Sequence, residues 1–153
     1  MQPKFSKIPD LGRKWFTTLG AEVSDRIVIH TTKGRKDVND RRFKSLDPEY
    51  AKRKSSGKIR RAGKQRGVAN LSLTGDMMSN LQTRRVTDRS VTIGWDGVEA
   101  SKLIDNAQNG RVVTKKSKPI AKGVERYIQK EIDKKTKRNI KKNDTVNIIK
   151  LGR

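Results

Sequence analysis

The chain has 153 residues, with 38 Lys+Arg against 16 Asp+Glu and a formal net charge of +22. Only 31% of its residues are apolar and 5% aromatic, against a usual apolar share of about 45–50%, so a small core and a single domain over 1–153 are expected. The absence of cysteine and a single histidine, His30, exclude disulfide frameworks, thiolate zinc sites, iron–sulfur clusters, cysteine nucleophiles and multi-histidine metal sites. The longest aliphatic run is Ile27-Val28-Ile29, far short of the roughly 20 apolar residues of a membrane span. No secretory apolar region stands at the N-terminus, so assembly in the cytoplasm and no membrane partner are expected.

Residues 11–29 carry helical spacing, with Leu11, Trp15, Leu19 and Val23 on one side and Phe16 and Ile27 beside them. Trp15, Phe16, Leu19 and Val23 are read as core, with Asp10 as N-cap of a helix over 11–32. The β-branched stretch Ile27 to Thr32 fits either the last turns or a short strand, and Gly34 ends it. Residues 33–70 differ in kind. The segment 33–66 alone holds a net charge of +10, as does 115–153, while 67–114 is neutral. Its apolar residues are few: Val38, Phe43, Leu46, Tyr50, Ile59 and Val68. Such a segment cannot build a core alone. It is predicted to be a long extended basic arm with one helical turn at 48–52, where Asp47 is the N-cap and Pro48 the first helical residue. The arm is expected to be mobile over 35–68 in an isolated monomer and to order only against partners.

Residues 71–111 are predicted to form a helix–hairpin–helix body. Thr74 caps a short helix over 71–82 that carries Met77, Met78 and Leu81. A hairpin follows over 82–95, with Val91, Ile93 and Trp95 alternating with Thr92 and Gly94 and the turn at Asp88-Arg89-Ser90. The helix over 98–109 places Ala100, Leu103, Ile104 and Ala107 on one face and stops at Asn109-Gly110. After a basic linker, Pro119 opens a helix to about Asn143 with the stripe Ile120, Val124, Tyr127, Ile128 and Ile132. Thr145 to Ile149 reads as a short terminal strand. The fold class is therefore α+β: a small antiparallel sheet packed by an N-terminal and other helices, with a long extended basic arm and a C-terminal helix.

No catalytic constellation is visible. His30, alone near the end of the first helix, is read as a surface or capping residue. Asp37 with Asp40, and Asp96 with Glu99, stand where Asx turns and N-caps account for them. Gly57-Lys58 and Gly63-Lys64 lack phosphate-loop spacing. No catalytic residue, metal or cofactor is expected, and a nuclease would need a carboxylate cluster that is not seen. The charge excess points to a polyanionic partner.

Three ordered segments carry a resemblance. The first runs Thr31-Thr32-Lys33-Gly34, Asp37-Val38-Asn39-Asp40-Arg41-Arg42-Phe43-Lys44 and Tyr50-Ala51-Lys52-Arg53-Lys54. The second is Asn70 to Leu81, containing Leu73-Thr74-Gly75-Asp76-Met77. The third is Val91-Thr92-Ile93-Gly94-Trp95, then Ala100 and Asn106 to Arg111. Together they resemble the virion morphogenesis or tail-completion proteins of tailed bacteriophages, components of the head–tail neck. Asp40 stands where that family has glycine, and Lys118-Pro119-Ile120 replaces an Arg-Pro-Phe-like stretch. The resemblance implies a non-catalytic virion protein in a homo-oligomeric ring, with portal or connector and tail terminator or tube subunits as partners. On that reading Arg41, Arg42, Lys52, Arg53 and Lys54 are interface candidates, with Phe43 and Tyr50 as apolar anchors. Lys58, Arg60, Arg61, Lys64, Arg66, Lys134, Lys135, Lys137, Arg138, Lys141 and Lys142 are candidate contacts to packaged DNA or an acidic protein surface. Tight folding of 35–68 against its own chain in a lone molecule would count against this head–tail neck assignment. The alternative is a basic nucleic-acid-binding protein of ribosomal or nucleoid type.

Overall fold

The computed structural model describes residues 11–58, Gly67 and 76–150, with the backbone alone for Asp76 and 140–150. Five helices and one two-stranded antiparallel sheet are present among the described residues, a small α+β fold. Helix α1 spans Arg13–Thr32, α2 Pro48–Ser55, α3 Asp76–Ser79, α4 Gly97–Gln108 and α5 Lys122–Lys150. Strands β1 (Gln82–Val86) and β2 (Val91–Gly94) form the hairpin.

The start of α1 is capped from across the fold. Asp10 lies outside the described residues, and Gly12 takes the cap position at φ +83°. The hairpin turn supplies the missing acceptors: Asp88 receives the Gly12 N–H on its carbonyl at 3.2 Å and the Arg13 N–H on Oδ1 at 3.1 Å. A carboxylate there also meets the positive end of the helix dipole. The β-branched residues Ile27 to Thr32 continue the helix rather than starting a strand. Thr32 Oγ1 bonds back to the Val28 carbonyl at 2.7 Å, and Lys33 and Gly34 both donate to Ile29 at 3.0 Å.

Gly20 sits in the middle of α1 because the hairpin passes there. A methyl group on it would lie 2.6 Å from Thr83 Oγ1 and 2.7 Å from a Val91 methyl. The helix forgoes about 1 kcal/mol of propensity at this residue and gains close approach to both strands. Thr83 pairs with Ile93 and Arg85 with Thr92, so Arg84 is an extra residue in β1. That bulge frees its guanidinium to bond the carbonyls of Gly94 and Asn80 at 3.1 and 3.0 Å and to pair with Asp96.

Leu11, Phe16, Leu19, Val23 and Val124 form the core, with Trp15, Ile27, Val86, Val91, Ile93, Ile120, Ile128 and Ile132 packed around it. The stripes expected on α1 and α5 thus meet each other over the hairpin. Trp15 and Phe16 meet edge to face at 4.9 Å. Arg26 lies 3.5 Å over the Tyr127 ring, whose hydroxyl donates to Glu22, locking α1 to α5. That hydrogen bond, more than burial, raises the Tyr127 pKa.

Two expectations are corrected. The terminal strand over 145–149 is helical, because α5 runs to Lys150. A growing helix adds one hydrogen bond per residue, whereas a terminal strand needs an edge to pair with. The helix opened by Pro119 starts at Lys122 instead, and the Pro119 carbonyl accepts from Thr114 Oγ1 at 2.9 Å. The helix expected over 98–109 is present as α4, with no residue buried and Ile104 62% exposed. The helix expected over 71–82 is described only as α3, and its cap Thr74 lies outside the described residues.

Candidate interaction surface

The described part of the arm, 33–58, is folded onto its own chain, against the expectation that it stays extended until a partner orders it. Val38 is 1% exposed, Phe43 8% and Lys54 3%. The physical reason is polar. Asp37 Oδ1 accepts the N–H groups of Asn39 and Arg41 at 2.8 Å each, and Oδ2 accepts Asn39 Nδ2 at 3.3 Å. Its own N–H returns to the Arg41 carbonyl at 2.7 Å. Lys36 bridges to Arg42, and Phe43 N–H reaches the Arg35 carbonyl at 2.9 Å. Val38 N–H then ties the loop to Val112 at 2.8 Å. One carboxylate therefore satisfies the backbone that an apolar core would otherwise have to organise.

Asp40 has φ +65°. This is the left-handed region that glycine enters freely and aspartate tolerates. His30 Nε2 lies 3.0 Å from the Asp37 carbonyl and 3.8 Å from Asp40 Oδ1, so the histidine ties the end of α1 to this loop.

Asp47 caps α2 as expected, accepting from Glu49 and Tyr50 N–H at 3.0 and 3.1 Å. Tyr50 and Ala51 are half-buried and Lys54 is buried, so the spaced Tyr-Ala-x-x-Lys motif is the inner face of α2. Burial, and then the charge of Arg111, hold the Lys54 ammonium below the usual lysine range. Gly67 crosses this helix closely: a methyl there would lie 2.7 Å from the Ala51 carbonyl.

The other two motif segments converge nearby. Trp95 Nε1 donates to the Met77 carbonyl at 2.7 Å, and Asn106 Nδ2 lies 3.7 Å from Met77 Sδ. Arg111 N–H bonds Asn106 at 2.8 Å, one residue before the Val112 carbonyl that holds the loop. Glu99 Oε2 and Arg111 Nε are buried without a partner among the described residues. Lys54 and Arg111 both stand in the motif segments, but nothing in the sequence signals that Lys54 is buried within reach of the Arg111 charge.

Of the interface candidates, Arg41, Arg42, Lys52 and Arg53 are exposed and Tyr50 is half-buried. Phe43 and Lys54 are withdrawn from the interface, because their side chains pack into their own chain. Of the candidate anion contacts, Lys58, Lys134, Lys137 and Arg138 are exposed and Lys135 is half-buried. Arg60, Arg61, Lys64 and Arg66, and the side chains of Lys141 and Lys142, lie outside the described residues. A cavity of about 360 Å³ between α1, the hairpin and α5 is apolar apart from His30, Arg89, Ser90 and Thr114, and no carboxylate lines it. No group of three or more His, Asp or Glu side chains that could hold a metal exists among the described residues. No helix among them is long and apolar enough to cross a membrane. The chain matches no protein-family model, no curated protein and no solved structure.

Proposed function

We propose that the chain is a non-catalytic structural protein of a tailed-bacteriophage virion, one subunit of a neck ring that joins head to tail. Its partners are copies of itself and portal or connector, tail-terminator or tube subunits. The observation that carries the reading is the order of the three motif segments, which meet around Met77, Asn106, Arg111 and Val38. The left-handed Asp40 supports it, since the family's glycine would serve the same backbone geometry.

The loop 33–58 packs on its own chain without a ring, so a ring is not needed to order that stretch. The contacts left for neighbouring subunits are the exposed Arg41, Arg42, Lys52 and Arg53 around half-buried Tyr50. Cations of this kind fix orientation and attract acidic surfaces more than they supply affinity.

Deletion of the gene from the phage that carries it is expected to leave DNA-filled heads and unattached tails. Purified protein added to such an extract joins them. Normal particle yield after deletion, or absence of the protein from purified virions by mass spectrometry, overturns the reading.

A further inference from the structure

We infer that the outward face of α5 binds the phosphate backbone of duplex nucleic acid without reading its sequence. Val124, Ile128 and Ile132 face the core. At about 100° per residue, Arg126, Lys130, Lys134 and Lys137 fall within an arc of about 80° on the opposite side. All four are exposed. From Arg126 to Lys137 the row is about 17 Å long, which faces about five phosphates of one strand at roughly 3.4 Å of helix axis each.

The surroundings say which anion fits. Arg126, Gln129, Lys130, Asp133, Lys134 and Lys137 line one shallow trough, and every one of them is polar. Protein interfaces take their affinity from desolvated aromatic and apolar anchors and are depleted in lysine. This trough offers none, so an acidic protein gains little by docking there. Asp133 accepts from Gln129 Nε2 at 2.9 Å and Lys134 pairs with Glu131 at 2.7 Å. Arg126, Lys130 and Lys137 make no ion pair among the described residues. Arg126, Lys130 and Lys134 are like charges four residues apart, an arrangement that disfavours a free helix. A phosphate chain reverses that repulsion.

The inference stands on α5 and goes beyond the neck reading, which survives its failure. Its test is a salt titration of fluorescent 30-base-pair duplex DNA against the full chain. Replacement of Arg126, Lys130 and Lys137 by Gln is expected to flatten the log–log salt slope by about 3 and to weaken binding on the order of 100-fold near 0.1 M salt. A control chain with the exposed Lys14, Lys33 and Lys116 replaced by Gln keeps the wild-type slope. Duplexes of unrelated sequence bind alike, and polyglutamate competes poorly. Equal losses in the two triple variants, polyglutamate binding as tight as DNA, or strong preference for one duplex sequence each overturns the inference.

Discussion

The body and the loop reach order by opposite means. In the body, α1, the hairpin and α5 are held by apolar side chains, with Phe16, Leu19, Val23 and Val124 each no more than 5% exposed. In the loop 35–43 two apolar side chains, Val38 and Phe43, are buried, and the rest is drawn together by Asp37. A polar, highly charged segment can therefore be ordered locally when one carboxylate collects the backbone donors of a turn. Composition measures the material for a core and is blind to that arrangement.

That contrast can be broken from either side. The largest effect is expected from Phe16→Ala, which removes a core ring and costs about 3–5 kcal/mol. Thermal unfolding followed by circular dichroism should show one transition moved far down. Asp37→Ala leaves two backbone donors without their acceptor and costs about 2–3 kcal/mol, as expected for bonds to a charged group. Here hydrogen exchange should rise over 35–43 well before α1 and α5 lose protection; simultaneous loss would make loop and body one unit. Gly20→Ala sets about 1 kcal/mol of helix propensity against overpacking of about 1–3 kcal/mol on Thr83 and Val91. A net loss of about 1 kcal/mol is expected, with NMR shift changes concentrated at those two residues. Asp40→Gly is the smallest, a gain of about 0.5 kcal/mol from relief of the left-handed backbone. Urea midpoints resolve it, and a loss instead would mean that the His30–Asp40 contact at 3.8 Å matters more than the backbone.

What could be read in advance follows the same divide. The stripes Leu11-Trp15-Leu19-Val23, with Phe16 beside it, and Val124-Ile128-Ile132 repeat often enough to show both helices and their mutual faces, although Phe16 is the more deeply buried ring. The alternation Val91, Ile93, Trp95 fixed the hairpin, and Asp47-Pro48 fixed the start of α2. Val38 and Phe43 carry no period, so nothing in the pattern said that they are buried. The turn itself was legible, since Asn39 and Arg41 donate to Asp37 as the Asx turn expected at that residue, but its burial of Val38 and Phe43 was not. On α4 the helical spacing was legible, but its apolar face is only partly covered, and Ile104 is left 62% exposed. Among the site candidates, exposure of Arg41, Arg42, Lys52 and Arg53 followed from charge alone. Lys54 broke that rule because it stands four residues after Tyr50, on the inner face of α2.

Lys54 is thereby a built-in reporter. Its lowered pKa leaves more free amine at mild alkaline pH than an ordinary lysine has, while its 3% exposure shields that amine from reagents. Acylation at this position is expected to lag behind that of the exposed Lys52 and Lys58 on the same stretch, and to catch up when α2 is loosened from the chain beneath it.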